Sequence, residues 1–432
     1  MRASVLRSSI IGVMALGLGF MAGCGGSSST STSPNLEAET KPTAKQLTNA
    51  SMAWLAYAGE NIDVDPNPAP GTKPQILTAN STTLFRIANV INKLMPTYPN
   101  VSANGGWKVV WGPALVTSDS IKDLKVFKSQ ANLTFVAQSV SDPGSYVVAT
   151  RGTVGTNLWE ADNEDVKVDF LEWPMAAVTA PLPYVSTATA NALGRVLKAL
   201  PPLVTPAGYS SLPGAGQSLT AFLTNLAANK AKGSVNISFT GHSLGGAISP
   251  ALALWFTQAQ GSAVITTAPA TIGVDPPTGW DVNSAAVISC VSFAGATPGD
   301  KTFTKYFDTT VGSYERVYNS NDVVPRGFAD LENVQRIYSS TTSHARMPAG
   351  MVKLLDAVIV NVAATSVKKS TIYTPLTTYN LTSDKKFTFP LGQYAAAPFG
   401  AYTSYTRQLG YQHSNAYMTR FGLADVNLPV TP

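Results

Sequence analysis

The run Val235-Asn236-Ile237-Ser238-Phe239-Thr240, followed directly by Gly241-His242-Ser243-Leu244-Gly245, constrains this chain more than any other stretch. β-Branched and aromatic residues that end in Gly-x-Ser-x-Gly read as a strand turning sharply into a helix, with a serine held at the strained corner. The two glycines are required sterically. Two residues before or after the serine, a side chain would collide with the neighbouring strand or helix where the backbone reverses. Gly246 and Ala247 extend the small-residue run, letting the next helix (Ala247, Ala251, Leu254, Trp255) pack close to the sheet. Pro250, past the first turn, is expected to kink that helix. Plain Gly/Ser turns also match five-residue patterns of this kind; the strand before it and the apolar helix after it favour the corner.

Around the corner the chain alternates between the two periodicities. Helical spacing covers residues 43–60 (Leu47, Met52, Leu55, Ala56) and recurs at Leu84, Ile87, Val90, Ile91 and Leu94. Strands at 133–137 and 146–150 are joined through Asp142-Pro143-Gly144, a hairpin signal. Two amphipathic helices follow, one with Leu193, Val196, Leu197 and Leu200, the other with Leu219, Phe222, Leu223 and Leu226. Lys230 and Lys232 fall in the expected last turn of the second, with Gly233 as its stop. Residues 261–283, rich in Gly, Pro and Thr, read as a surface insertion, and strands at 285–293 and 315–319 complete the βαβ alternation. The pattern predicts an α/β fold, a doubly wound and mostly parallel sheet with helices on both faces and insertions near 261–283 and 326–400.

The amino terminus has a different composition. Arg2 and Arg7 precede an apolar core at 10–20, and Met21-Ala22-Gly23 leads into Cys24. Residues 1–23 are expected to be a signal peptide, outside the fold. Small residues directly before a cysteine resemble a bacterial lipobox, which makes Cys24 the acylated first residue and the Gly/Ser/Thr-rich stretch to residue 35 a flexible tether. Met21 stands where leucine is usual, so an ordinary cleaved signal or a retained anchor is the alternative. Residues 36–432 then form one domain, exported and lipid-anchored to a bacterial cell envelope, at the outer membrane or cell surface. Without residues 1–23 the chain holds 28 basic and 25 acidic side chains, too even a balance for a nucleic-acid partner. Cys290 lies in an apolar strand pattern, and with Cys24 as the only other cysteine no disulfide framework is expected.

A serine hydroxyl is a weak nucleophile near neutral pH and needs a base that is itself oriented by a carboxylate. The three histidines are His242, His344 and His413. His242 lies inside the corner, where the geometry turns it away from its neighbour's hydroxyl, which leaves His344 and His413. Asp322 sits just past the strand at 315–319, where open α/β sheets place functional side chains, although an Asx-type turn before Pro325 accounts for it equally well. The order Ser, Asp, His is that of α/β-hydrolases. Both candidate histidines follow Asp322, so order does not choose between them.

Five blocks occur in sequence: YVVATRGT (146–153) with Trp159 and Asp162 after it, FTGHSLGGA (239–247), VSFAGATPGD (291–300), RVYNSNDVVPR (316–326) and YQHSNAY (411–417). Together they resemble the class 3 lipase family, fungal-type triacylglycerol lipases of the α/β-hydrolase fold, over residues 133–421 with interruptions. The resemblance implies a serine ester hydrolase with Ser243 as nucleophile, Asp322 as orienting acid, His413 as base, and Thr153 with the Leu244 N–H as oxyanion hole. A hydroxyl and an N–H at a strand end also suit a developing oxyanion chemically. No metal and no cofactor are implied. The chain departs from the family at Thr297-Pro298, where Pro-Arg is usual, and its separations of 79 residues from Ser243 to Asp322 and 91 from Asp322 to His413 imply insertions. In the segment matching the family's lid, Glu160, Asp162, Glu164, Asp165, Asp169 and Glu172 read as a solvated acidic loop, and the apolar residues 175–185 are the candidate substrate-facing stretch. The expected substrate is an acylglycerol or related lipid ester cleaved through an acyl-enzyme. A carboxylesterase for short or soluble esters is the alternative, and a non-catalytic surface lipoprotein a second. The expected partners are that ester and the membrane, reached through the N-terminal acyl anchor.

Overall fold

A computed structural model describes residues 41–60, 82–103, 105–122, 125–152, 170–174, 181–261, 272–319, 322–327 and 405–423, with single residues and short strands between them. Cys24 and the tether, Thr153, His344, and the acidic residues from Glu160 to Asp169 lie outside the described residues.

Among the described residues two helices come first, α1 (Ala44–Leu55) and α2 (Thr83–Leu94). The long strands β1 (Trp107–Lys122) and β2 (Lys125–Ser139) pair antiparallel, and β3 (Ser145–Thr150) adds antiparallel to β2. From β3 onward the sheet is parallel, with β6 (Val235–His242), β7 (Ala286–Phe293), β9 (Tyr314–Asn319) and β11 (Phe387–Phe389) in that spatial order. A smaller antiparallel sheet holds β4 (Phe170–Glu172), β5 (Tyr184–Ser186), β8 (Gly299–Asp300) and β10 (Tyr373–Thr374). The remaining helices of six or more residues are α3 (Thr187–Lys198), α4 (Leu219–Ala227), α5 (Leu244–Thr257), α6 (Lys301–Thr310), α7 (Tyr405–Gly410) and α8 (Ala416–Phe421). No helix among the described residues is long and apolar enough to cross a membrane.

Strand alternation explains why helices cover both faces. Tyr146 and Val148 of β3 join a core with α3, α4 and α5, while Val147 and Ala149 join a second core with α1, α2 and α8. Burial on both sides shows in β3, buried from Tyr146 to Thr150, and in the carboxyl-terminal halves of β6 and β7, buried without interruption from Phe239 to His242 and from Cys290 to Phe293. α5 is buried from Gly245 to Phe256 and runs through Pro250 to Thr257, so the proline does not end it. Cys290 is fully buried in β7 and burial pushes its thiol pKa up, in keeping with a packing role.

Some boundaries differ from expectation. α4 ends at Ala227 because Ala228 already has extended backbone, so Lys230 and Lys232 lie beyond the helix rather than in its last turn. Within the expected surface insertion, Trp280 is buried and donates to the Phe256 carbonyl at 2.8 Å, anchoring residues 272–283 to the core. Of the acidic segment, Glu172 lies in β4 and accepts from the Tyr184 hydroxyl. In the stretch 326–400, Tyr373–Thr374 and Phe387–Phe389 extend the two sheets.

Candidate active site

The corner is built by close backbone approach. A Cβ on Gly241 would strike the Gly245 carbonyl and lie 2.7 Å from the Thr150 carbonyl oxygen, and one on Gly245 would strike that same Thr150 oxygen. The steric need for both glycines is thus met at the end of β3. Ser243 between them has φ 59° and ψ −124°, a conformation that a non-glycine residue holds only when its surroundings impose it. Its N–H donates to the Phe293 carbonyl at 3.0 Å and its carbonyl accepts from Ala247 at 3.2 Å, which ties it to β7 and α5. Leu244 begins α5, so its N–H has no acceptor within the helix and sits at the positive end of the helix dipole. Gly245→Ala is expected to lose about 3 kcal/mol or more of stability, since the clash is with backbone that cannot swing aside. Urea unfolding measures this, and a loss below about 1 kcal/mol would contradict the tight approach.

Asp322 and His413 meet at the carboxyl ends of the same strands. His413 Nδ1 lies 2.8 Å from Asp322 Oδ2, with both side chains fully buried. Oδ2 also accepts from the Tyr417 hydroxyl at 3.1 Å, and Oδ1 accepts from Val324 N–H at 3.0 Å. Asp322 therefore makes the Asx-type turn through one oxygen and meets the His413 ring through the other. Because a carboxylate only accepts, His413 Nδ1 carries a proton, and in the neutral imidazole Nε2 is then the lone pair. Nε2 is buried with no hydrogen-bond partner among the described residues. That arrangement suits a general base.

His242 faces away from the serine, as expected. Its Nε2 lies 2.8 Å from the His413 carbonyl and its Nδ1 lies 3.1 Å from the Tyr57 hydroxyl. Burial, and secondarily the neighbouring His413, hold its pKa well below the usual imidazole range, so it is neutral. Gly152 presses the end of β3 onto this corner, since a Cβ there would strike the Tyr57 hydroxyl and the His242 carbonyl and come 3.0 Å from Ser243 Cβ. Thr153 follows it in the chain, outside the described residues.

Five supporting residues are new from the structure. Tyr417 is buried and its pKa is raised, by burial first and Asp322 second, which keeps it a donor. Its oxygen also accepts from Asn319 N–H at 2.7 Å, and Asn319 Nδ2 donates to the Gln412 carbonyl at 3.0 Å and to Gln412 Oε1 at 2.6 Å, stitching β9 to the His413 segment. Tyr417 stands four residues after His413, a helical spacing that could have signalled it. Trp54 and Tyr57 carry no such signal. Among the described residues no cluster of His, Cys, Asp and Glu could hold a metal ion.

The family model for lipase (class 3) matches residues 147–331. Among solved structures, M37 lipase is 24% identical, with a TM-score of 0.64, over 88% of this chain and 93% of that one. Lipase II from Rhizopus niveus is 16% identical, with a TM-score of 0.34, over 66% of this chain and 74% of that one. The likeness to M37 lipase is one of fold, an α/β-hydrolase. No curated protein matches the chain.

Proposed function

We propose that this chain, whose residues 147–331 match the family model for lipase (class 3), is a serine hydrolase that cleaves acylglycerols or related lipid esters through an acyl-enzyme. The observation that carries this reading is the bond from His413 Nδ1 to Asp322 Oδ2, which leaves the other ring nitrogen as an unpartnered base. In the first half-reaction Ser243 Oγ attacks the ester carbonyl while His413 Nε2 takes its proton. The oxyanion that forms is held by the Leu244 N–H and Thr153, and Asp322 stabilises the imidazolium. His413 then returns the proton to the departing alcohol, leaving the acyl group on Ser243. Water repeats the sequence and releases the acid. Ser243 and His413 are both buried.

A panel of esters from short to long acyl chains, with and without an emulsified interface, tests the substrate class. Retained rates on long-chain glycerides support a lipid substrate. Hydrolysis confined to short soluble esters would move the assignment to a carboxylesterase.

The anchor belongs to the same proposal. Acyl chains on Cys24 contribute roughly 0.8 kcal/mol per buried CH₂, so two or more hold a chain on a membrane without a spanning helix. Cys24→Ser is expected to give unprocessed precursor or soluble protein. An intact mass showing an unmodified amino terminus elsewhere than Cys24 would rule the anchor out.

A further inference from the structure

Trp54 and Tyr57 lie outside the 147–331 match, yet they reach the corner itself. The Trp54 and His242 ring centroids are 4.3 Å apart, and the Tyr57 hydroxyl is 3.1 Å from both His242 Nδ1 and the His242 carbonyl. On its far side, His242 Nε2 meets the His413 carbonyl at 2.8 Å. A carbonyl only accepts, so Nε2 carries the proton and Nδ1 accepts.

We propose that His242 is a positioning residue for the base, seated by Trp54 and Tyr57 and holding the His413 backbone through Nε2–H. The proposal rests on Ser243, Asp322 and His413 being the reacting set. His413 lies in a π turn, Tyr411–Asn415, closed by Ala416 N–H donating to the Tyr411 carbonyl. Such a turn is a local departure from the α-helical register and needs outside contacts to persist at one place. Asp322 fixes the ring through Nδ1, and His242 fixes the backbone from which that ring hangs. Together the two bonds set where Nε2 points. The N-terminal helix thereby becomes part of the catalytic apparatus: α1 starts from a capping box between Thr43 and Gln46 and delivers Trp54 and Tyr57 at its far end.

Kinetics of His242→Leu, His242→Gln and Tyr57→Phe test this. His242→Leu removes the donor and is expected to lower kcat on the order of tenfold to a hundredfold with KM changed less than about twofold, because no substrate contact is lost. His242→Gln keeps an N–H donor, so its kcat should lie at least about fivefold above that of His242→Leu. Tyr57→Phe should lower kcat about threefold in the wild-type background and not in His242→Leu, because the bond it removes is the one that seats His242. If His242→Leu does not fold, Tyr57→Phe, which keeps its ring, carries the test, and an unchanged kcat overturns the proposal. Equal kcat for Leu and Gln, or an equal Tyr57→Phe effect in both backgrounds, overturns it too. Ser243→Ala in the same assay separates the causes. If that variant is inactive, only the role of His242 has failed; if it is active, the reacting set was misassigned.

Discussion

Replacing Ser243 by alanine is expected to lower kcat for ester hydrolysis on the order of 10⁴–10⁶ while leaving stability nearly unchanged. The corner is held by the backbone bonds of Ser243 to Phe293 and Ala247 and by the glycine contacts around it, none of which uses the hydroxyl. The strained φ of 59° remains to be borne by alanine, which tolerates it no worse than serine does. Loss of rate without loss of fold therefore separates the chemistry from the scaffold. Steady-state kinetics beside urea unfolding of the same preparation measures both. A mutant with near wild-type turnover would place the nucleophile elsewhere.

His413→Ala is expected to cost several orders of magnitude in kcat, on the order of 10³–10⁵, whereas His344→Ala should change it by less than about tenfold. The first removes the ring that Asp322 and the π turn orient, and it leaves Asp322 a buried carboxylate with one charge-assisted bond fewer. His344 sits among serines and threonines, where a solvated histidine is the plain expectation. The opposite ranking of the two variants would move the base to His344 and make the resemblance around residues 411–417 accidental.

The corner was legible in the sequence because its signal is local: a β-branched run marks the strand and glycines stand at two set positions, although the backbone that forbids a side chain at Gly245, the Thr150 carbonyl, comes from far away in the chain. Asp322 was legible only in part: its place after β9 allowed both a turn and a triad role, and one of its oxygens makes the turn while the other meets the His413 ring. Choosing His413 over His344 required the resemblance, since chain order is the same for both. Contacts with large sequence separation stayed hidden. Nothing in the pattern of residues 44–57 ties Tyr57 to His242, and nothing around Trp280 announces that it turns inward. β1 escaped notice for a different reason. Its register against β2 shifts at Val109/Trp111, Trp111/Ala114 and Leu115/Thr117, and each shift breaks the two-residue alternation by which a strand is read.

The proposed acyl-enzyme places a covalent intermediate on Ser243, formed with His413 as base. An esterase-directed phosphonate mimics the tetrahedral species and stays bound to an activated serine, so intact mass followed by peptide mapping reads the site of attachment directly. One equivalent of adduct per chain is expected, located on Ser243, with labelling abolished in Ser243→Ala and strongly slowed in His413→Ala. Stoichiometric labelling at another residue, or ester turnover by a chain that takes no label at Ser243, would contradict it.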